Sequence, residues 1–468
     1  MEMRVRKHSL GYKSAVLGLS LAAIATLSGC WIKNIVIPYY TQETSYWCGA
    51  ASAQMILKCP KINTYVAQST LYPFINSHNT CSGWASDPNG LKAVLNNYGN
   101  GHGAYFVVSA LANQDDAVKK LAYTIDHYDV PPASLVYGCA HWVVVRGAFT
   151  DVQPTSAPAY TMYGVYVNDP WYGSTSLGEN KYVDIAQWKS TYLTGCAWCG
   201  TTGSKYISVV DPKPVPNVQI SYPAAPARRA QILSAAEAKQ LALEYRQKFD
   251  AEPAFKREFA EGLKALASSA IGEPLLVKRS DKEADAYFIV PFNEGEATAG
   301  AVLIDAYSGQ LNEATYVKRP IRYLANLRME PARDLFLRKL PMLRVRPEIL
   351  RQLKLAPSAE ESGGQTTAVA PATAGTASAA RAPHAAAKSA AIFTTFHSID
   401  VDERDVSIKG MELVWEPATE TQNPYYPVWA VKGTVKGAAE AGIIGYVTAK
   451  GDVVDRLTAP TALKGGGF

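Results

Sequence analysis

The rhythm of apolar and polar positions changes several times along the chain, and each change marks an element. IVIPYY, ending just before Thr41, reads as a first strand. CGAASAQMIL, residues 48–57, is rich in small helix formers and ends on Met55, Ile56 and Leu57, which can face a core. HWVVVRG, from His141, is a near-continuous apolar run closed by glycine, the pattern of a buried strand. GVYVNDP is the next such run, and the polar loop TDVQPTSAPAY between the two predicts antiparallel pairing. That pairing would carry Asp169 back beside His141. Beyond residue 210 comes DPKPVPNVQISYPAAPARRA, a proline-rich stretch that reads as an extended linker. SAAEAKQLALEYRQKF then has helical apolar spacing, with Ser234 as N-cap and Glu237 at the capping-box position. AYFIVPF and AGAVLIDAYSG read as strands, and PARDLFLRKLPMLRVRPEILRQLKL as a charged helical stretch. Residues 357–391 are a low-complexity tether of Ala, Ser, Thr and Gly with scattered Pro, and from Phe393 the chain is strand-like again.

Two of these segments repeat. Ala299-Gly300 precedes Gly309, and Ala441-Gly442 precedes Gly451, at a common offset of 142 residues. An apolar strand lies within each copy, and Tyr287 and Trp429 open another at the same offset. The C-terminal half therefore reads as two copies of a small hairpin unit.

Composition narrows the class. The 468 residues are 48% hydrophobic and 19% charged, a globular balance with room for two or three domains. A net charge of +5 over that length, without a Lys/Arg stripe interleaved with aromatics, argues against a nucleic-acid partner. The N-terminus is a targeting segment: Arg4, Arg6, Lys7 and Lys13 lead into AVLGLSLAAIA, an apolar run too short to span a bilayer. Leu27-Ser28-Gly29-Cys30 closes it and resembles a bacterial lipobox, which implies lipidation of Cys30 and a membrane partner through that lipid. If Cys30 carries lipid, Cys48, Cys59, Cys81, Cys139, Cys196 and Cys199 remain in an oxidising compartment, where pairing is the default. Reserving Cys48 as a thiol leaves an odd number, so one further cysteine must be unpaired. CAWC, holding Cys196 and Cys199, lacks two further ligands for zinc and favours disulfides with Cys59, Cys81 or Cys139. No cofactor is called for.

Cys48 is the candidate nucleophile. A thiol needs to be thiolate to attack, and a helix N-terminus beside an imidazolium favours that form. Gly49 and Ala50 would let substrate backbone approach, with Tyr46 and Trp47 walling the cleft. Gln42, six residues earlier, could offer its amide to an oxyanion together with the Cys48 backbone N–H. Among His78, His102, His127 and His141, only His141 opens a buried strand, which would hold it rigidly as a base. Asp169 is the candidate orienting group, with Trp171 shielding the His–Asp contact; Asn168 should point to the opposite face.

Gln42, Cys48 on GAASAQMIL, HWVVVRG and NDP, in this order, resemble papain-like cysteine peptidases of the bacteriocin-processing and effector-protease type, C39-like in character. The resemblance covers about residues 36–210. It implies an α+β papain-like fold, with the cysteine helix packed on an antiparallel sheet. It also implies Cys48 as nucleophile, His141 as base, Asp169 as orienter and Gln42 as oxyanion donor, acting on a polypeptide. The repeated unit, a strand ending in Ile-Asp-Ala-x-x-Gly, is similar to PepSY-type domains of exported proteins. The expected organisation is a lipoprotein signal at 1–29, a peptidase domain at 36–210 and a linker at 211–230. A PepSY-like module at 231–356, a tether at 357–391 and a second module at 392–468 follow. Such modules could regulate the peptidase intramolecularly. Two other readings use the same residues: an envelope amidase or acyltransferase with the same triad, and a non-catalytic envelope binding protein on a degenerate peptidase scaffold.

Overall fold

The structure, a computed structural model, describes residues 30–171, 177–199, 201–322, 327–339, 406–435 and 442–458. The targeting segment 1–29 and the tether 357–391 lie outside the described residues. The fold is α+β. Its first half holds helices α1 (Cys48–Leu57), α2 (Gln68–Ser77), α3 (Pro88–Gly99) and α4 (Gln114–Tyr128). The strands there are β1 (Trp31–Asn34), β2 (Val107–Leu111), β3 (Ala133–Val136), β4 (His141–Thr150), β5 (Ala159–Asn168), β6 (Lys181–Asp184), β7 (Tyr206–Val210) and β8 (Gln219–Ser221). A helical turn, Ile185–Gln187, runs on into a π-helical turn, Trp188–Tyr192.

The small residues of α1 let it lie flat inside the core: all ten of its residues are buried. Side chains this short cost little rotamer entropy in a helix and allow close packing on a sheet. α1 packs on β4, where the Ser52 hydroxyl donates to the Trp142 carbonyl at 3.4 Å. Every residue of β4 is buried too, which accounts for its nearly unbroken apolar sequence. β4 and β5 pair antiparallel, as the loop between them predicts, with Val144 opposite Asn168.

Two expectations need correction. The first strand is Trp31–Asn34, paired with the far end of β4, and IVIPYY is extended chain after it. The register with β4 ends at Asn34 opposite Gly147, beside the bulge of β4 between Val145 and Gly147, and the Ile35 N–H still donates to the Arg146 carbonyl at 2.8 Å. The proline-rich stretch is also not wholly free, because β8 within it pairs parallel with the start of β5. Val218 and Val215 give it an apolar anchor on the first core.

The second half contains α5 (Ala235–Ala251), α6 (Pro253–Glu258), α7 (Ala260–Ser268) and α8 (Met329–Lys339). Its strands are β9 (Ala270–Ile271), β10 (Leu275–Arg279), β11 (Ala286–Glu294), β12 (Ala297–Asp305), β13 (Leu311–Ile321), β14 (Val406–Trp415), β15 (Val428–Val435), β16 (Gly442–Val447) and β17 (Val453–Val454). The Ser234–Glu237 capping box forms and starts α5. The repeat is present in the pairing register itself. Tyr287 faces Asp305 across β11 and β12, and Trp429 faces Val447 across β15 and β16. Gly309 and Gly451 both sit at positive φ (75° and 83°), the turn conformation that makes glycine the residue of choice there. Parallel pairing of β10 with β14 joins the two copies.

The halves are not separate bodies. β13 pairs antiparallel with β6, placing Glu313 opposite Val183 and Ala314 opposite Tyr182. An aromatic cluster seals the same junction: Phe149, Tyr166 and Tyr182 meet Phe255 and Phe259 with ring centroids 5.2–6.4 Å apart. Each buried ring of this size contributes about 2 kcal/mol or more of transfer free energy.

Candidate active site

Cys48 is the first residue of α1, and its thiol is almost fully buried. No side chain caps this helix end, so its first N–H groups remain oriented toward the thiol's surroundings. His141 begins β4, and the backbone before it is unusual. Tyr137, Gly138 and Cys139 all have positive φ, at 55°, 65° and 68°. Two of the three are not glycine, so the turn is held by its surroundings. The Tyr137 N–H donates to the Tyr192 carbonyl at 2.9 Å, and the Gly138 N–H to the Thr194 hydroxyl at 2.7 Å. A Cys139–Cys196 disulfide fixes the turn's far end.

Asp169 follows β5 and is fixed from its backbone outward. Its N–H donates to the Gly178 carbonyl at 2.9 Å, and its own carbonyl accepts from the Tyr39 hydroxyl at 2.7 Å. Its carboxylate Oδ1 lies 2.9 Å from His141 Nε2. The ring's other nitrogen, Nδ1, is left for Cys48, whose thiol also hydrogen-bonds the imidazole. The Trp171 indole stacks on that imidazole, with 4.0 Å between ring centroids and planes 11° apart. Cys48, His141 and Asp169 are 3%, 1% and 0% exposed. The structure thus brings together the three residues that the sequence singled out, with Trp171 covering the His–Asp contact.

The electrostatics follow from that packing. Burial alone would strip the proton from His141; hydrogen bonds to Asp169 and Cys48, with their charges, outweigh it and push the imidazolium up to about 9. Burial likewise disfavours the Asp169 carboxylate, yet the ammonium of Lys181 and the His141 ring hold it below the ordinary carboxylate value. At neutral pH the ring is therefore an imidazolium facing a sulfur, held from behind by a carboxylate.

The remaining expected residues fit less simply. Gln42 is buried and its N–H donates to the Pro170 carbonyl, tying its loop to the Asp169 loop at 2.6 Å. Its side-chain Nε2, however, donates to the Thr44 carbonyl at 2.9 Å. Service to an oxyanion requires exchanging that bond. Gly49 does not open a path for substrate: a Cβ there would lie 2.5 Å from the Ser86 side chain, so this glycine is needed for packing. Trp47 stacks on Tyr72 at 5.1 Å and Tyr46 packs edge-on to the same ring, forming an aromatic wall beside α1. Asn168 points away, with Oδ1 accepting the Asn180 N–H at 2.8 Å. His127 pairs with Asp211 and His102 with Thr64, and neither joins the site. Cys81 is bonded to Cys199, which leaves Cys59, fully buried, as the unpaired cysteine that parity requires.

Residues 34–202 match the model of the Peptidase_C39 like family. This segment is similar to C39-like, papain-like cysteine peptidases, and its α+β fold agrees with that likeness. No curated protein and no solved structure matches the chain. Cys48, His141 and Asp169 all lie within the matched range. The family match ends at residue 202 and does not reach the two C-terminal units.

The sequence reading missed two charged residues. Lys181, at the start of β6, is fully buried, with Nζ 3.1 Å from Asp169 Oδ2 and 2.9 Å from the Tyr192 hydroxyl. Glu313, from β13, is also fully buried; its Oε1 accepts from the Tyr192 hydroxyl at 2.9 Å and from Gln187 at 3.2 Å. A lone lysine in KYVD and a lone glutamate in LNEATYV read as solvated strand positions, because charged residues are rarely buried without a partner and the partner is far off in sequence. Among the described residues no cluster of three or more His, Cys, Asp or Glu could hold a metal ion. An aromatic cleft at Phe149, Tyr163, Tyr182 and Phe249 is lined by none of Cys48, His141 and Asp169.

Proposed function

We propose that this protein is an exported, lipid-anchored cysteine peptidase that hydrolyses peptide bonds through a thioester on Cys48. The observation that carries the reading is the buried row of Cys48, His141 and Asp169, with the imidazole hydrogen-bonded on both sides. In this reading the Cys48 sulfur attacks the carbonyl carbon of the scissile bond and the carbonyl π electrons move onto oxygen. The Cys48 N–H and, after exchange of its bond to Thr44, the Gln42 amide receive that oxyanion. Collapse expels the amine, which takes its proton from His141 Nδ1 and leaves the thioester. Neutral His141 then removes a proton from water; the hydroxide attacks the thioester, the carboxylic acid departs, and sulfur and imidazolium are restored. Asp169 holds the ring in position throughout, and Trp171 keeps water from the His–Asp contact.

Alkylation and turnover test this together. Iodoacetamide at pH 6 is expected to label Cys48 much faster than a free thiol, and His141→Ala to abolish that rate. Hydrolysis of denatured protein is expected in the wild type and to be lost in Cys48→Ala. Turnover of peptidoglycan fragments with none of protein would assign the same triad to an envelope amidase or acyltransferase. An inert Cys48 would leave a binding protein on a peptidase scaffold.

Lipid anchoring at Cys30 rests on the LSGC motif and its basic, apolar approach. β1 starts at Trp31, the very next residue, so no spacer would separate the lipid from the domain. Labelling with a radioactive fatty acid is expected in the wild type and to vanish in Cys30→Ala; equal labelling of both would refute the anchor. The two hairpin units are, in this reading, PepSY-like modules of the exported chain.

A further inference from the structure

Behind the triad lies a group of buried charges. Asp169 uses both carboxylate oxygens, Oδ1 toward His141 at 2.9 Å and Oδ2 toward Lys181 at 3.1 Å. Two cations therefore share one carboxylate, all three side chains buried. Lys181 has a second anion: Glu313 Oε2 lies 3.7 Å from Nζ, and the Tyr192 hydroxyl bridges Lys181 and Glu313 through two 2.9 Å hydrogen bonds. His141, Asp169, Lys181 and Glu313 thus form a row of alternating charge, all of it buried.

We propose that Lys181 and Glu313 are positioning residues of this site, Glu313 of the C-terminal half neutralising Lys181 so that Asp169 stays available to His141. The proposal rests on the reading of His141 as general base and acid. Docking of the halves does not by itself require these charges, because buried ion pairs can generally be exchanged for apolar residues without loss of stability. Apolar contact already joins the halves through Phe149, Tyr166, Tyr182, Phe255 and Phe259. What an apolar pair could not do is balance the charge on Asp169. With Glu313 neutral, Lys181 would draw on Asp169 alone, and a protonated His141 would face an uncompensated cation across it.

The other groups near this row are few. Tyr137 from the turn before β4 and Tyr192 from the π-helical turn stay neutral, burial keeping both phenols well above their ordinary value. Cys48 faces the imidazole from α1, and Gln187 donates to Glu313. Arg279 of β10 approaches through Thr191 at 3.0 Å, its charge paired with Asp281. Burial and the Asp169 charge raise the Glu313 carboxyl above its ordinary value, while Lys181, Gln187 and Tyr192 oppose that rise. Removing Lys181 would thus leave Glu313 to take up a proton.

The full-length chain with both disulfides carries the test. Histidines labelled with carbon-13 are titrated by NMR, and the His141 signal is assigned by its loss in His141→Ala. Glu313→Gln is expected to lower the His141 midpoint by on the order of half a pH unit or more, with kcat falling and KM little changed. The same substitution in a Lys181→Met background is expected to move the midpoint by none of that amount, and the double variant leaves no lone charge buried. An unmoved midpoint in folded Glu313→Gln overturns the proposal. So does an equal shift in both backgrounds, which would mean that Glu313 acts on His141 without Lys181. Because the titration uses no substrate, it fails or succeeds independently of whether Cys48 hydrolyses peptides.

Discussion

At the scale of single residues, His141 sets the alkaline limit of the site. Its imidazolium persists to about 9 because Asp169 and Cys48 outweigh the cost of burial. In the proposed reaction the leaving amine needs the proton on this ring, so kcat/KM is expected to fall as pH rises through about 9. A stopped or continuous peptidase assay from pH 7 to 10.5 checks it. The same shift has a sign for stability. The folded-state value lies above the ordinary 6.5, so this contribution is full below 6.5 and is lost as pH rises through about 9. Denaturant unfolding at pH 6 and pH 10 should therefore show a larger loss for the wild type than for His141→Ala. Gly178 makes a second residue-scale prediction. A Cβ there would stand 2.1 Å from the Asp169 carbonyl oxygen and 2.5 Å from the Tyr39 hydroxyl, and backbone cannot yield as a flexible side chain does. Gly178→Ala is expected to cost about 1–3 kcal/mol of stability and to reduce turnover by roughly a hundredfold, from an ångström-scale displacement of Asp169. Thermal melting and kcat measure the two effects separately.

At the scale of elements, the turn before β4 is the weak point that the disulfide restrains. Two non-glycine residues in left-handed conformation cost about 1–2 kcal/mol each, and Cys139–Cys196 keeps them there. The pair Cys139→Ser, Cys196→Ser should lose a few kcal/mol and at least tenfold in kcat. Removing Cys81–Cys199 should lower the melting temperature with a smaller effect on kcat, since neither cysteine adjoins a triad residue in sequence. Elements were where the sequence was most legible. α1, β4 and β5 each announce themselves by one strong pattern, and their antiparallel order is enough to bring His141 and Asp169 together. The 142-residue offset reappears in the pairing of the two hairpin units, from Tyr287–Asp305 to Ile289–Leu303 in one and Trp429–Val447 to Val431–Gly445 in the other, before a bulge shifts the second. Less legible was whatever depends on a partner remote in sequence. β1 was misplaced because its four residues carry no periodicity of their own and are defined by β4. Lys181 and Glu313 went unseen because 132 positions separate them (181 to 313), and only the fold makes them neighbours.

At the scale of the whole molecule, the sheet of the first half does not end with that half. β6 passes its ladder on to β13, and the aromatic face of the first half is covered by Phe255 of α6 and by Phe259 just after it. Truncation after Val210 would expose Phe149, Tyr166 and Tyr182, leave the β6 edge open and remove Glu313. Such an edge invites pairing with other chains. We expect the truncated chain to be poorly soluble and, where soluble, at least tenfold less active than the full chain. A truncated protein more active than the full one would identify the C-terminal half as an inhibitor. The β6–β13 junction also has a consequence in time. A chain made from its N-terminus delivers Cys48, His141 and Asp169 first, and the glutamate that balances their charge 144 positions after Asp169 (169 to 313). At ordinary synthesis rates that is a delay of roughly 7–30 s, during which the nucleophile has emerged but its supporting charges have not. The order of the chain would hold the newborn site without its full charge balance until most of the chain has been made.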